Sequence, residues 1–295
     1  MHTVKFLDFN CVSIENASLS LLVTQSVGPR IISLRFNDGD NLFAELPDFV
    51  TKRPDGGIFH FYGGHRLWHA PENMSRTYIQ DDGPVDIVQT GNSFTIRQPV
   101  ESQTGIEKSI FISLVDEKPQ VIVRHTLTNC GLWPVECAPW AITQLKIGGV
   151  AILPQSQQQT GFLPNRSLAL WPYTEIANPQ VSWGNQYILI RAEMHERAFK
   201  IGFPNLRGWL AYWHAGTLFV KRAAFNPQIA YYDFNSSSEC YCNQNFLELE
   251  TLGQIGRLAQ GESVTHTETW ELYANVDFPA DEAAVQALVE KLGLE

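Results

Sequence analysis

Gln120-Val-Ile-Val-Arg-His-Thr-Leu-Thr-Asn129-Cys-Gly131-Leu-Trp-Pro-Val135 reads as a strand, a turn and the start of a second strand. Val121, Val123 and Leu127 fall on one face with His125 among them, and Arg124, Thr126 and Thr128 fall on the other. That two-residue period belongs to an extended chain and not to a helix. Asn129-Cys-Gly131 then supplies turn chemistry. The same grammar recurs outward in runs of five to ten residues. Candidate strands are Ser18 to Val23, Arg30 to Phe36, Phe94 to Gln98, Ile106 to Leu114, Gln120 to Thr128, Val135 to Leu145, Tyr187 to Ala192, Trp209 to His214, Leu218 to Arg222, Phe246 to Thr251 and Ser263 to Leu272. Breakers such as Asn37-Asp38-Gly39-Asp40 and Asp81-Asp82-Gly83-Pro84 lie between them. The pattern predicts an all-β antiparallel sandwich with a short C-terminal helix. In that helix, about 281–292, Ala284, Leu288 and Leu292 share a face, which is expected to pack on the outside or edge of a sheet.

No linker or charge block divides the 295 residues, so one domain over 1–295 is expected. With 44% hydrophobic residues the chain can bury a full core. A formal charge of -10 argues against nucleic acid as a partner, because phosphate-backbone affinity needs basic stripes. No run is long and apolar enough for a signal peptide or a membrane span, and no membrane association is expected. Five cysteines, an odd count in a long chain, read as reduced thiols, so the expected compartment is cytoplasmic. There is no nucleophile elbow, no P-loop and no dinucleotide fingerprint, and Cys240-Tyr-Cys242 lacks zinc-site spacing. Neither a cofactor nor a metal is expected.

The densest polar and aromatic cluster is Gly63-Gly64-His65-Arg66-Leu67-Trp68-His69-Ala70-Pro71-Glu72, within the longest irregular segment, Pro47 to Met74. In an extended chain His65 and His69 sit about 13 Å apart, too far for one metal. Two readings stand: a ligand-facing loop in which the glycines let the backbone approach and Arg66 and Trp68 meet the ligand, or a hydrogen-bonded core beneath a loop. In Gln244 to Thr251, alternation sets Leu247 and Leu249 on one face and Phe246, Glu248 and Glu250 on the other, with the two carboxylates about 7 Å apart. In a cleft they suit acid-base work, and on an open face they are solvated carboxylates. His266, Glu268 and Trp270 share a strand face and read as structural, and His125 reads as a core histidine. His214, at a strand end beside a glycine turn, is a cleft-facing candidate.

Three pieces then suggest a family. Val27-Gly-Pro-Arg30-Ile-Ile-Ser-Leu34 resembles the G-A-R-I-x-S-L opening of the galactose mutarotase-like superfamily, which includes aldose 1-epimerases and hexose-phosphate epimerases. Arg124 to Val135 is similar to its L-x-N-x-G-x-x-P-V turn, and Leu249-Glu250-Thr251 with Leu258 to Leu272 resembles its L-E-T and P-G-E pieces. The resemblance implies a large antiparallel β-supersandwich with a sugar cleft on one sheet, in which Glu250 takes the anomeric hydroxyl proton. The family's acid histidine has no counterpart here, where the chain reads Cys137-Ala-Pro-Trp140-Ala. His65 or His69 is therefore the expected acid. Arg66, Arg30, Glu72, Glu248 and His214 are expected to meet substrate, with Trp68 or Trp140 stacking on the ring. The function expected is binding of a small sugar with acid-base chemistry such as anomer interconversion. A non-catalytic sugar-binding or sensing module is the second expectation, and a lyase or hydrolase on an acidic polysaccharide the third.

Overall fold

A computed structural model describes residues 2–294, of which nearly all the regular structure is antiparallel β in two sheets. Alternation of apolar and polar side chains lets each strand bury one face, and two such faces stacked together make a sandwich core. One sheet has twelve strands. Its centre runs in spatial order Arg30–Phe36, Ile58–Ala70, Val135–Leu145, Leu247–Leu252, Ser238–Cys242 and Phe199–Phe203. The other has ten, with Trp209–His214, Thr217–Ala223, Ser263–Tyr273, Gln120–Asn129 and Ile106–Leu114 at its centre. Each of the eleven strands read from the sequence is present within a residue or two of its expected ends.

The main core lies between the sheets, where Leu67, Leu145, Leu247, Leu249 and Phe199 meet Ile110, Val123, Phe219 and Trp270. The tail helix, Glu282–Leu292, is capped by the Asp281 side chain accepting from the Ala284 N–H. Its Val285 and Val289 cover Val150, Tyr187 and Trp209 on the outer face of the ten-stranded sheet, as its apolar stripe requires. On the outer face of the twelve-stranded sheet a third cluster gathers Phe59, Trp68, Trp140, Ile142, Tyr231 and Leu252. An apolar patch on an outer face has to be covered or used.

One expectation is overturned here. Most of Pro47 to Met74 is not a loop, because Glu45–Lys52 and Ile58–Ala70 are paired strands. Gly63 and Gly64 interrupt the apolar pattern for a reason unconnected with a ligand. A Cβ on Gly63 would meet the Ala44 carbonyl oxygen at 2.0 Å, and one on Gly64 the Ile31 oxygen at 2.3 Å. Both have φ near the left-handed region, +91° and +74°. The glycines admit neighbouring strands, and the chain continues through them as a strand.

Candidate active site

Strand pairing brings the site together. Trp68 lies opposite Trp140 and Arg66 opposite Ile142, while on the other flank of Val135–Leu145, Ile142 faces Glu250 and Gln144 faces Glu248. Period-two alternation then sends Arg66, Trp68, Trp140, Gln144, Glu248 and Glu250 to the outer face. There a cavity of about 420 Å³ is walled by aromatic rings, among them Phe61, Trp68, Trp140, Trp171, Tyr173 and Phe246, with Arg66, Glu72, Lys200 and Glu248 supplying charge. A concave apolar space of this size holding a few convergent polar groups is the usual form of a small-molecule site.

Of the two carboxylates that line the cavity, Glu72 and Glu248, Glu248 is the buried one. Its Oε1 accepts from Gln144 Nε2 at 2.9 Å and lies 3.4 Å from Arg66 Nη2. Burial and the nearby Glu250 raise its pKa to about 7, against the pull of Arg66, Lys200 and the Gln144 amide. The Arg66 guanidinium stacks 4.3 Å from the centre of the Trp68 ring and donates to Gln144 Oε1 at 3.2 Å. Burial lowers its pKa.

Glu250 is placed differently from the role the resemblance implies. It is fully buried, and its Oε2 accepts from Trp140 Nε1 at 2.8 Å and from Lys200 Nζ at 3.0 Å, while its Oε1 has no hydrogen-bond partner. Directly across the sheet from it stands Glu239, a like-charged pairing that destabilises a ladder unless a cation intervenes. Lys200 is that cation, 2.8 Å from Glu239 Oε2. Burial opposes its charge, but Glu239 and Glu250 outweigh burial and hold the ammonium well above its ordinary pKa. Burial pushes the Glu239 carboxyl well up.

The expected acids lie on the wrong face. His65 points between the sheets, with Nδ1 2.8 Å from Thr143 Oγ1 and Nε2 2.7 Å from His125 Nε2. His69 is also buried between the sheets, 3.6 Å from Glu101 Oε2, and that carboxylate is already paired with Lys108. Both alternate with Arg66 and Trp68, so the strand that carries those two to the cavity carries the histidines away from it. Burial lowers the pKa of each. Arg30 is likewise removed from the cleft. It is buried, donating to the carbonyls of Phe61 and Gly63 and pairing with Asp81 at 2.8 Å. His214 sits on the other sheet, stacked on Tyr212, and does not line the cavity. Of the residues singled out in the sequence, the cavity wall contains Arg66, Trp68, Glu72, Trp140 and Glu248.

Lys200 and Trp171 went unrecognised in the sequence. A signal existed for Lys200: in Phe199–Phe203 it is a lone cation in an apolar run, and alternation sets it opposite Phe199, Ile201 and Phe203. Trp171 and Tyr173 follow the two-residue edge strand Ala169–Leu170, too short to show a period.

Behind the site, His65, His125 and Glu268 place their donor atoms within 4.8 Å of one another, a spacing that would suit a metal. A lysine neutralises the carboxylate of that group. Lys221 Nζ lies 2.9 Å from Glu268 Oε1, 3.0 and 2.9 Å from the carbonyl oxygens of Ala141 and Leu249, and 3.1 Å from Thr143 Oγ1, four acceptors that share its three N–H groups. Glu268 also accepts from Thr251 and from Trp270 Nε1, and His266 Nε2 lies 2.6 Å from Thr251 Oγ1. These groups tie the two sheets together beneath the cleft.

No family model and no curated protein matches the chain by sequence. Solved structures do match. A galactose mutarotase-like protein from Lactobacillus casei superposes with a TM-score of 0.55 over 89% of this chain and 100% of its own, at 12% identity. A candidate aldose 1-epimerase from Klebsiella pneumoniae gives 0.60 over 97% and 83%, at 10% identity. The chain has the galactose mutarotase-like fold. A TPR-domain containing protein from Parabacteroides distasonis is similar at a TM-score of 0.62, covering 93% of this chain and 49% of that one at 15% identity. At such identities the galactose mutarotase-like fold is what is shared, and chemistry has to be argued from the site.

Proposed function

We propose that residues 1–295 act as one unit that binds a small sugar in the cavity on the twelve-stranded sheet, and that Glu248 exchanges protons with the bound sugar. The observation that carries this reading is a buried carboxyl facing an aromatic-walled cavity, its pKa raised by burial and by the neighbouring Glu250. Indole faces pack against the C–H faces of a sugar ring, while Arg66 and Glu248, which line the cavity, offer hydrogen bonds to its hydroxyls. A base works best when its pKa is near the working pH, so Glu248 suits removal of the anomeric hydroxyl proton, the step that opens an aldose ring. This moves the base from Glu250 to Glu248, one pleat along the same strand. Lys200 is held by two carboxylates, and burial pushes Tyr78 up, so neither readily gives a proton at neutral pH. The ring-oxygen proton then comes from water in the cleft, and a single positioned base contributes about 10²–10⁴-fold.

The test is the rate of α/β anomer exchange of free aldoses, followed by exchange NMR, with the wild type and Glu248→Gln. A rate enhancement lost in the variant supports the assignment, and an enhancement that survives it removes Glu248 from the chemistry.

One observation favours a second reading, a sugar-binding module without catalysis. The glutamate in the L-E-T position is fully buried and bound by Trp140 and Lys200, and no histidine lines the cavity. Sugar signals broadened by binding, with no change in anomer exchange, would select it. A lyase or hydrolase acting on uronates fits less well, because Arg66 and Lys200 both already face carboxylates.

A further inference from the structure

The charges around the cleft do not match a neutral ligand. Glu72 and Glu248 line it, and Glu239 and Glu250 stand immediately behind Lys200. Against these four carboxylates are two cations, Arg66 and Lys200. Each cation is already engaged: Arg66 with Glu248, and Lys200 with Glu239 and Glu250. A phosphate or carboxylate on a sugar would have to compete with protein carboxylates for both. A cation entering the cleft meets the opposite situation, because Glu72 at the rim pairs with no cation among the described residues and the wall is made of aromatic faces whose quadrupoles attract positive charge. The cavity already shows that preference internally. Lys200 Nζ lies 4.7 Å from the ring centres of both Trp140 and Trp171, and the Arg66 guanidinium lies over Trp68 and Phe61. Burial first, and then the nearby Glu250, raise the Glu248 and Glu239 carboxyls against the pull of Lys200, which leaves Glu72 as the acidic group of the cleft placed to meet an added cation.

We propose that the cleft selects a sugar carrying a protonated amine over neutral and anionic sugars. The inference rests on the sugar-binding reading above and gives it a substrate class. The ammonium would lie between the aromatic wall and Glu72, which is exposed at the rim and accepts one bond from Tyr78 Oη at 2.7 Å. Acetylation of the amine would remove the charge and the preference together.

Calorimetric titration near neutral pH with hexosamines, their N-acetyl forms, the parent hexoses and hexose 6-phosphates tests it. The expected result is a hexosamine affinity about tenfold or more above that of the parent hexose and the N-acetyl form. Glu72→Gln, at an exposed position, should reduce the ratio of hexosamine to parent-hexose affinity severalfold. Equal affinity for hexosamine and hexose, or tighter binding of the 6-phosphate, overturns the charge selection while leaving the sugar cleft in place. Absence of binding by every sugar in the panel overturns both.

Discussion

Lys221→Met should destabilise the protein by an amount that grows with pH, and the structure sets the size of the effect. Lys221 and Glu268 are both fully buried between the sheets and 2.9 Å apart. Burial pushes the Glu268 carboxyl up, yet Lys221, aided by His125, His266 and the Thr251 hydroxyl, overrides it and leaves the group below its ordinary value. A carboxylate with a depressed folded pKa contributes stability above its unfolded pKa, and that contribution is lost as pH falls through the folded value. Without the ammonium the sign reverses, because burial dominates and the carboxyl has to be neutral in the fold. Keeping a carboxyl of reference pKa about 4.3 protonated at pH 7 costs about 3.7 kcal/mol, at roughly 1.36 kcal/mol per unit. At pH 5 the same requirement costs about 1 kcal/mol. The two histidines facing Glu268 do not fully relieve it, since burial lowers both and holds His266 at about 3. Part of that lowering comes from Lys221 itself, so in the variant both imidazoles take up a proton more readily and offset a share of the penalty. The bonds from Nζ to Ala141, Thr143 and Leu249 add a pH-independent loss of about 1–3 kcal/mol. Urea unfolding should therefore show a loss at pH 7 larger than that at pH 5 by at most about 2.7 kcal/mol. In Lys221→Met/Glu268→Gln the pH-dependent share should vanish. An equal loss at both pH values, or a double variant as unstable as the single at pH 7, would refute the reasoning.

Further outcomes are expected. Trp68→Ala removes a cavity wall and the stacking surface of Arg66, and should weaken sugar binding by about tenfold in a titration, at about the energy of one stacking contact. His69→Phe should leave sugar affinity within about twofold of the wild type. Its ring is buried on the far face with neither nitrogen hydrogen-bonded, so a measured loss of catalysis would restore it as an acid. Asp281→Ala removes the cap of the tail helix and should cost about 1 kcal/mol in thermal or urea unfolding without touching the cleft.

The strands were legible because their signal is local. Ile106–Leu114 and Gln120–Asn129 alternate so regularly that period alone sets their ends and inner faces. The same alternation read Glu248 and Glu250 correctly onto one face. Which of the two meets the cavity depends on Trp140 and Lys200, brought in by strands far away in sequence, and no local pattern contains that. His65 and His69 show the converse. Their facing was implied once Arg66 and Trp68 were assigned to the ligand, but Gly63-Gly64 suggested a loop and released the segment from strand alternation. The glycines answer a steric demand from Ala44 and Ile31 that exists only in the paired sheet. Arg30 was drawn toward the substrate by a motif, whereas its hydrogen bonds go to the backbone at Phe61 and Gly63.

The central claim is that Glu248, in an aromatic cavity, exchanges protons with a bound sugar. Exchange NMR of aldose anomers, recorded below and above pH 7 with the wild type and Glu248→Gln, tests it most directly. The account predicts an enhancement that rises with pH as Glu248 ionises near 7 and then levels off, and that is absent from the variant although sugar signals remain broadened by binding. Enhancement of equal size in Glu248→Gln, or sugar signals untouched by the wild type, would contradict it.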